Sequence, residues 1–245
     1  MAALANKLIV ITGGAGGIAR ETTPLLLADG AEVLLIDPNG AALERLAADG
    51  DLGTRVHTAV SDLETPKACA DALAGIARPI YALVHLAGIF RPDDVDAEHR
   101  PLWDEIMAAN LTNAFDMAAA CRPKLDPAAT CRMVFASSLA FRRGSFDHVA
   151  YSAAKGGITG LVRALARKLA PNVLVNGLAP GIIETAMPEH IISLPERRKR
   201  LIAETALKRF GHPREVATVI HFLLGPGSTY ITGQVINIDG GVTNA

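Results

Sequence analysis

Short apolar runs rich in β-branched residues recur along the chain, and amphipathic segments of helical length separate them. Strands that are buried on both faces read as nearly continuous apolar runs rather than as alternating ones. The pattern therefore predicts seven strands, at Leu8–Ile11, Val33–Ile36, Val56–Val60, Ala82–Leu86, Met133–Ala136, Val173–Gly177 and Val235–Ile238. Strands that alternate with helices predict an α/β fold, a doubly wound (Rossmann) parallel seven-stranded sheet with helices on both faces.

The segment between the sixth and seventh strands interrupts this alternation. Elsewhere Pro and Gly fall at the ends of elements, and no linker or repeat divides the chain, which predicts a single domain over residues 1–245. From Ile182 to Phe210 a further helical stretch is inserted before a helix that opens near Pro213. Ligands of this architecture bind beyond the carboxyl ends of the strands, so we expect residues 182–210 to form a lid over the substrate.

Composition narrows the class of protein. Half of the residues are apolar, one fifth are charged and the formal net charge is −1, a composition that indicates neither a disordered chain nor a nucleic-acid-binding surface. The cysteines, Cys69, Cys121 and Cys131, are odd in number and lack a C-x-x-C spacing, so we predict neither a disulfide scaffold nor a metal site. The chain shows no signal-peptide pattern and no run of about 18 apolar residues, so we expect a cytoplasmic protein without membrane contact.

A glycine-rich turn directly follows the first predicted strand. It reads Thr12-Gly13-Gly14-Ala15-Gly16-Gly17-Ile18-Ala19 and leads into a helical pattern that continues to about Asp29. Glycines let the backbone turn tightly and approach a pyrophosphate, whose charge is stabilised by the free N–H groups at a helix N-terminus. The context of strand, turn and helix predicts a dinucleotide-binding loop, and a structural turn without a ligand is the alternative.

Asp37 follows the second predicted strand, about twenty residues after the loop, where dinucleotide-binding folds place a carboxylate that binds the adenosine ribose. The same carboxylate repels the 2′-phosphate of NADP. Ala15, Gly16, Pro38 and Asn39 supply no cation to bind that phosphate. We therefore predict NAD as the cofactor, rather than NADP; the alternative is that Asp37 only caps the turn before Pro38.

Tyr151 and Lys155 lie four residues apart in an amphipathic stretch that continues to Leu169, so both are expected on one helical face. A tyrosine with a pKa of about 10 is a poor base at neutral pH, and a lysine about 4 Å away stabilises its phenolate by roughly 4 kcal/mol, about three pKa units. Ser137 and Ser138 follow the fifth strand, at the sheet edge where this fold carries its chemistry. These residues are catalytic candidates, and a solvated helix face is the alternative for the Tyr–Lys pair.

Taken together, these features closely resemble the short-chain dehydrogenase/reductase family, in its compact single-domain branch, over essentially the whole chain. Several motifs carry the resemblance in the family's order and spacing. They are the glycine loop, Asp37, Asp62-Leu63, Ala87-Gly88, Asn110-Leu111-Thr112, Ser138, Tyr151, Lys155, Pro180-Gly181 with Thr185, and Gly233-Gln234 through Asp239-Gly240-Gly241. The resemblance implies an oxidoreductase with a nicotinamide coenzyme.

The resemblance also implies a role for each matching residue. Tyr151 is the general acid/base, Ser138 hydrogen-bonds the substrate oxygen, and Lys155 lowers the tyrosine pKa and holds the nicotinamide ribose. Asn110, whose alternative role is a helix cap or surface amide, holds a water that links Lys155 to solvent. The implied coenzyme-binding set, with Asp62 at the adenine and Ile183 and Thr185 at the carboxamide, is Gly13, Gly16, Gly17, Ile18, Asp37, Asp62, Leu63, Ala87, Gly88, Tyr151, Lys155, Pro180, Gly181, Ile183 and Thr185.

Two positions depart from the family's pattern. Ala19 stands in place of the third glycine of the loop, and this small residue still permits close helix packing. His85-Leu86 replaces the Asn-Asn pair that commonly precedes Ala87-Gly88, so the side-chain hydrogen bonds of that pair cannot be carried over. We interpret His85 as a partly buried structural histidine, with tuning of the site as the alternative.

The segments expected to line the substrate pocket are mostly apolar, which favours a hydrophobic or cyclic secondary alcohol or ketone, although core or subunit interface is an equal alternative for each side chain. They contain Ile89, Phe90, Leu139, Phe141, Phe146, Ile182, Met187, Ile191 and Ile192. Arg91, Arg142, Arg143 and the run Arg197–Arg200 are interpreted as solvated charge. The alternatives are an anionic substrate tail at the first three and an acyl carrier or coenzyme A phosphate at the run.

Three functions compete. Asp37 favours an NAD(H)-dependent oxidoreductase that acts on a secondary alcohol or ketone. A 3-oxoacyl-thioester reductase shares every motif, but such reductases generally resemble NADPH users. A non-catalytic NAD-binding protein would not need Ser138, Tyr151 and Lys155 together. Relatives are usually homotetramers, and the apolar tail Val235–Val242 is compatible with a homotetramer or homodimer.

Overall fold

The computed structural model of the protein describes residues 2–48, 53–187 and 193–243. Its strands are β1 (Leu8–Thr12), β2 (Glu32–Asp37), β3 (Val56–Val60), β4 (Ile80–His85), β5 (Cys131–Ala136), β6 (Val173–Pro180) and β7 (Val235–Ile238). Each of the seven predicted strands is present, with ends that differ by at most three residues. The largest difference is at β6, because its buried run continues past Gly177 to Pro180.

The strands form a parallel sheet in the order β3-β2-β1-β4-β5-β6-β7. The order reverses between β1 and β4, and doubly wound sheets bind ligands in the crevice beyond the carboxyl ends of the strands at such a switch point. Thr12 is in register with Ile36 of β2 and with His85 of β4. The loops that follow these three strands therefore open into one crevice. The predicted Rossmann fold is confirmed.

The helices are α1 (Gly17–Ala28), α2 (Gly40–Ala48), α3 (Pro66–Asp71), α4 (Arg100–Met107), α5 (Asn113–Cys121), α6 (Ala140–Arg143), α7 (Val149–Leu169), α8 (Pro195–Glu204) and α9 (Pro213–Leu224). Helices α1, α2 and α9 pack on one face of the sheet, against Ile9 and Ile11, and α3, α5 and α7 pack on the other, against Leu8 and Val10. Successive residues of a strand point to opposite faces, so a strand covered on both faces is apolar throughout.

Two further sequence expectations concern the core and the lid. The three cysteines are buried and free. Helix α8 lies within the segment predicted to be a lid, while Ile191 and Ile192 of that segment lie outside the described residues. Among the residues that are described, no helix is both long enough and apolar enough to cross a membrane.

Candidate active site

The glycine loop lies between β1 and α1, at the switch point of the sheet. Gly13 has a φ of +66°, and a Cβ at this position would lie 2.9 Å from the backbone of Leu86, so glycine is required for the close approach. Helix α1 begins at Gly17, and its N-terminus carries neither a side-chain cap at Gly16 nor an acidic residue in the first turn. The loop therefore offers N–H groups and a positive helix end that fit the pyrophosphate of a dinucleotide.

Asp37 ends β2 beside this loop. Its Oδ2 accepts a hydrogen bond from the backbone N–H of Ala15 (3.1 Å), and its Oδ1 accepts one from the N–H of Asn39 (2.9 Å). The carboxylate thus caps the turn after β2, as the alternative interpretation proposed, and it also ties the glycine loop to the sheet. Each carboxylate oxygen has two lone pairs, so this half-buried group can still accept a hydrogen bond from a ribose hydroxyl.

The predicted catalytic side chains converge beyond the end of β5. Ser138 follows that strand, and α7 carries Tyr151 and Lys155 on its buried side. Ser138 lies beside Tyr151, and the interaction of its hydroxyl with the phenol acts to lower the pKa of Tyr151. Lys155 Nζ lies 5.4 Å from the centre of the Tyr151 ring and donates to the backbone oxygen of Ala136 at 3.0 Å. All three predicted side chains line one cavity.

The proton affinities at this cluster differ from the expectation. Burial raises the pKa of Tyr151 to about 12, although the interaction with Ser138 opposes this shift, and burial lowers the pKa of Lys155 to about 8. The prediction that Lys155 brings the pKa of Tyr151 near neutrality is therefore wrong. The sequence argument counted the attraction of the cation but not the removal of both groups from water, which disfavours their charged forms.

Asn110 lies in a π-helical segment, Ala108–Thr112, which interrupts the α-helical geometry between α4 and α5. Its Nδ2 donates to two backbone oxygens at 2.9 and 3.0 Å, whereas its buried Oδ1 has no hydrogen-bond partner in the described part of the chain. A Cβ on Gly88 would clash with this oxygen and would lie 3.4 Å from Lys155 Nζ. A buried acceptor beside Lys155 therefore indicates a place for a further polar group.

His85 is fully buried, not partly buried as expected, and it joins β1 to the helices. Its Nδ1 pairs with Thr12 Oγ1 at 2.9 Å and its Nε2 with Asn113 Oδ1 at 3.3 Å. Asn113 Nδ2 donates to a backbone oxygen, which leaves Oδ1 to accept from Nε2–H and assigns Nδ1 as the acceptor of the Thr12 hydroxyl proton. Burial, assisted by the charge of Lys155, lowers the pKa of His85 to about 3 and keeps it neutral. This network supports the structural interpretation of His85.

Replacement of His85 by Leu tests this network. The variant leaves the Thr12 hydroxyl proton and Asn113 Oδ1 without their partners. An unpaired buried polar group costs about 1–3 kcal/mol, so the free energy of unfolding should fall by about that amount. Urea denaturation followed by circular dichroism measures the change. His57→Leu on β3 is the control, because His57 forms an exposed ion pair with Glu32 and should contribute less than about 1 kcal/mol. Equal losses in both variants would contradict a stabilising role of the network.

Some of the other predicted coenzyme-binding residues line the cavity, and the rest lie outside its lining. Those that line the cavity are Ile18, Gly88, Pro180, Gly181, Ile183 and Thr185. Thr185 also packs against the glycine loop, since a Cβ on Gly17 would lie 2.7 Å from its Cγ2. Ala87 N–H donates to Thr12 Oγ1 at 3.2 Å, behind the cavity wall. Asp62, which is exposed, and Leu63, which is buried, lie beyond the end of β3 and do not line the cavity.

A cavity of about 260 Å³ opens above Tyr151, between α8 and residues 138–146. Of the side chains predicted to line the substrate pocket, those that border it are Phe90, Leu139, Phe146, Ile182 and Met187. Ile89 and Phe141 do not border it, and their prediction as lining residues is wrong. Ile89 packs into the cluster around Ile106, and the ring of Phe141 lies under the guanidinium of its neighbour in sequence.

Two features beside Tyr151 were not predicted. Phe90 stacks on His148 with a ring separation of 3.8 Å and meets the ring of Tyr151 edge-on at 4.8 Å. Asp93 accepts hydrogen bonds from the first two N–H groups of α7, at 2.6 and 2.7 Å, and so caps the helix just before Tyr151. These partners come from the loop after β4, more than fifty residues before α7. No local spacing signals such a contact.

Known proteins resemble this chain over almost its whole length. A sequence profile described as enoyl-(acyl carrier protein) reductase matches residues 13–243. The 3-oxoacyl-(acyl-carrier-protein) reductase of Thermotoga maritima is 35% identical over 98% of both chains, and the galactitol 2-dehydrogenase of Cereibacter sphaeroides is 33% identical over 95% of this chain and 93% of the other. A crystal structure from Brucella melitensis, described as a short-chain dehydrogenase/reductase of the glucose/ribitol dehydrogenase type, matches with a TM-score of 0.93 at 33% identity and covers 99% of both chains.

The doubly wound sheet, the glycine loop at its switch point and these relatives define an oxidoreductase that binds a nicotinamide coenzyme. The chain belongs to the short-chain dehydrogenase/reductase family, as its sequence motifs implied.

Proposed function

We propose that the protein transfers a hydride between NAD(H) and a secondary alcohol or ketone with a hydrophobic or cyclic body. The observation that carries the proposal is the cavity itself. Ser138, Tyr151 and Lys155 line it together with mostly apolar side chains, and Ile18 and Thr185, which adjoin the glycine loop, line it too. A carbonyl or carbinol that enters this cavity can meet the proton-transfer group and a coenzyme at the same time.

Asp37 supports NAD as the coenzyme. Its carboxylate is held by two backbone N–H groups, and the neighbouring positions Ala15, Gly16, Pro38 and Asn39 carry no cation. A fixed negative charge at the ribose favours a free 2′-hydroxyl, which can donate a hydrogen bond, over a 2′-phosphate, which is repelled. We assign the residues from Gly13 to Ile18, with Asp37, Asp62 and Leu63, to the adenosine and pyrophosphate half of the coenzyme.

The chain's own residues handle the proton. A bound nicotinamide coenzyme supplies or accepts the hydride. Tyr151 donates its phenolic proton to the substrate oxygen during reduction and takes that proton back during oxidation, while Ser138 orients the oxygen by a hydrogen bond. Because the pKa of Tyr151 is raised to about 12, the phenol is protonated at neutral pH and is ready to act as the acid. Lys155 holds the ribose, and Asn110 binds a water that relays protons to Lys155.

A 3-oxoacyl-thioester reductase is the second candidate function. Its support is the 35% identity to the reductase of Thermotoga maritima and the matching profile, both of which are described as acting on acyl carrier protein substrates. The galactitol 2-dehydrogenase relative, at 33% identity, supports the first candidate about equally. Asp37 separates the two candidates, because the thioester reductases of this family generally resemble NADPH users.

A coenzyme and substrate panel tests both candidates. The purified protein is incubated with NAD or NADP and secondary alcohols or 3-hydroxyacyl thioesters, and the reduced nicotinamide is followed by its absorbance. We expect turnover of alcohols with NAD. Turnover only with NADP and thioesters would establish the second candidate, and coenzyme binding without any turnover would point to a non-catalytic protein.

We also propose that the protein is a homotetramer or a homodimer. Large apolar side chains are exposed on several elements, among them Phe115 on α5 and Phe222 on α9. Aromatic side chains are enriched at subunit interfaces relative to the rest of a protein surface. Size-exclusion chromatography with light scattering should give a multiple of 25.7 kDa, and a stable monomer would contradict the proposal.

A further inference from the structure

The mouth of the cavity carries more positive charge than the proposed hydride transfer requires. The charged residues that line it, within the described part of the chain, are Arg143, Lys155, Arg197, Arg200 and Glu204. Lys155 is buried beside Tyr151, whereas Arg197 is half-buried and Arg143 and Arg200 are exposed. We call these three residues, Arg143, Arg197 and Arg200, the arginine rim. The chain as a whole has a net charge of only −1, so this cluster is a local feature.

The helical geometry of α8 separates charges that the sequence presented as one run. Arg197 and Arg200 lie three residues apart and share the side of α8 that borders the cavity. Arg198 turns away, pairs with Glu184 at 3.0 Å and lies over the ring of Phe210. Lys199 is exposed and does not line the cavity. The interpretation of the whole run as solvated charge is therefore wrong for Arg197, which is only 30% exposed.

The guanidinium groups of the arginine rim have more N–H donors than the neighbouring carboxylates accept. Arg197 Nη2 donates to Asp147 at 2.9 Å and Arg143 Nη1 donates to Glu204 at 2.9 Å, while Arg200 Nε lies 4.0 Å from the Glu204 carboxylate. Three guanidinium groups thus share two carboxylates. The buried Nε of Arg197 has no hydrogen-bond partner among the described residues. Since a guanidinium offers several N–H donors in a fixed fork that matches a carboxylate, an additional anion can be bound here.

The same cavity is lined mainly by apolar side chains, with Leu139, Ile182 and Leu201 among them. A ligand that complements this arrangement has a reacting oxygen at one end, an apolar body and a negative charge at the other end. Resting on the proposed function, we propose that the substrate is a small oxo acid or the corresponding hydroxy acid, and that Arg197, with Arg143 and Arg200, binds its carboxylate. The cluster determines specificity and takes no part in the proton transfer.

Matched pairs of acids and amides test the proposal. The ketones 5-oxohexanoate and 7-oxooctanoate and their amides are reduced with NADH, and the acid-to-amide ratio of kcat/KM is measured. The wild-type protein should prefer the acids by at least about 10-fold, and Arg197→Gln should lower that ratio by about 10- to 100-fold, mainly through KM. Lys199→Gln is the control, because it removes the same charge from the same helix outside the cavity and should keep the wild-type ratio.

A second variant separates anion binding from a merely structural role of the Arg197–Asp147 pair. Asp147→Asn breaks the same ion pair but leaves the guanidinium of Arg197 free. If Arg197 binds the substrate carboxylate, this variant keeps or raises the acid-to-amide ratio. If the pair only holds α8 in place, Asp147→Asn lowers the ratio as much as Arg197→Gln, and the proposal is refuted.

The remaining outcomes distinguish this proposal from the proposed function. Equal turnover of acids and amides by the wild-type protein overturns anion recognition and leaves the oxidoreductase function intact. Efficient turnover of acyl thioesters alone overturns it in favour of the second candidate. If no ketone is reduced, the proposed function fails, and the anion site is then tested by binding of hexanoate alone. The probe is the fluorescence of Trp103, the single tryptophan, which packs in the cluster with Tyr151. Saturable quenching that Arg197→Gln abolishes still supports an anion site, and its absence overturns it.

Discussion

Replacement of Tyr151 by Phe is expected to lower kcat by about 100- to 10,000-fold, the range that general acid–base catalysis contributes. The variant removes one oxygen, the group that lies beside Ser138 and that we assign to proton transfer. The ring remains and keeps its edge-on contact with Phe90, so the packing around α7 should not change. Steady-state kinetics measures the loss, and titration of the protein with NADH, followed by nicotinamide fluorescence, should show that coenzyme binding is retained.

The exposed Tyr230 provides a matched control for this variant. Tyr230→Phe makes the same chemical change on a side chain that is fully exposed and does not line the cavity, and it should keep wild-type kinetics. If Tyr151→Phe retains most of the wild-type activity while coenzyme binding is intact, another group transfers the proton and our assignment is refuted.

The assignment of Tyr151 as the proton-transfer group predicts the direction in which the rate of each reaction changes with pH. Oxidation needs the basic form of Tyr151. Because burial raises the pKa of Tyr151 to about 12, the basic form is scarce at neutral pH and increases as the pH rises. The rate of oxidation should therefore rise between about pH 6 and 10. Reduction uses the protonated form, which persists over that range. Lys155, whose pKa is lowered to about 8, loses its positive charge within the same pH range. The pH profile of the rate should therefore contain a second titration, near pH 8.

The strands could be predicted from the sequence because their signal is local. A strand such as β1, buried on both faces, must be apolar at every position, and Gly13 and Gly17 are needed where the backbone approaches Leu86 and Thr185. Convergence of Ser138, Tyr151 and Lys155 follows from the same logic. Once the strand that precedes Ser138 and the helix that carries the other two are known, a parallel sheet brings them to one edge.

The features that escaped prediction depend on contacts between distant segments. Asp93 caps α7 from another loop, and the burial that raises the pKa of Tyr151 comes from side chains contributed by several elements. His85 illustrates the same limit, since its complete burial and its two partners, Thr12 and Asn113, could not be derived from its position after an apolar run. Patterns along the chain predict which face is buried, whereas desolvation and partner geometry require the packed structure.

Coenzyme preference rests on one side chain. Asp37 presents a carboxylate beside the glycine loop, and a charged hydrogen bond to the ribose contributes about 1.5–3 kcal/mol, equivalent to roughly 10- to 150-fold in affinity. The same charge opposes a 2′-phosphate, so its removal acts on NAD and NADP in opposite directions. The shift in the ratio of the two specificities should therefore exceed the change for either coenzyme alone.

Asp37→Asn is the variant of choice, because the amide oxygen still accepts one of the hydrogen bonds from Ala15 and Asn39 and should preserve the loop. We expect the NAD-to-NADP ratio of kcat/KM to fall by about 100-fold or more, with a loss for NAD and a gain for NADP. Asp71→Asn on the exposed side of α3 removes the same charge far from the crevice and should leave the ratio unchanged. A wild-type protein that prefers NADPH, or an Asp37→Asn variant with an unaltered ratio, would show that Asp37 only holds the loop, because a carboxylate at the ribose must discriminate against the phosphate.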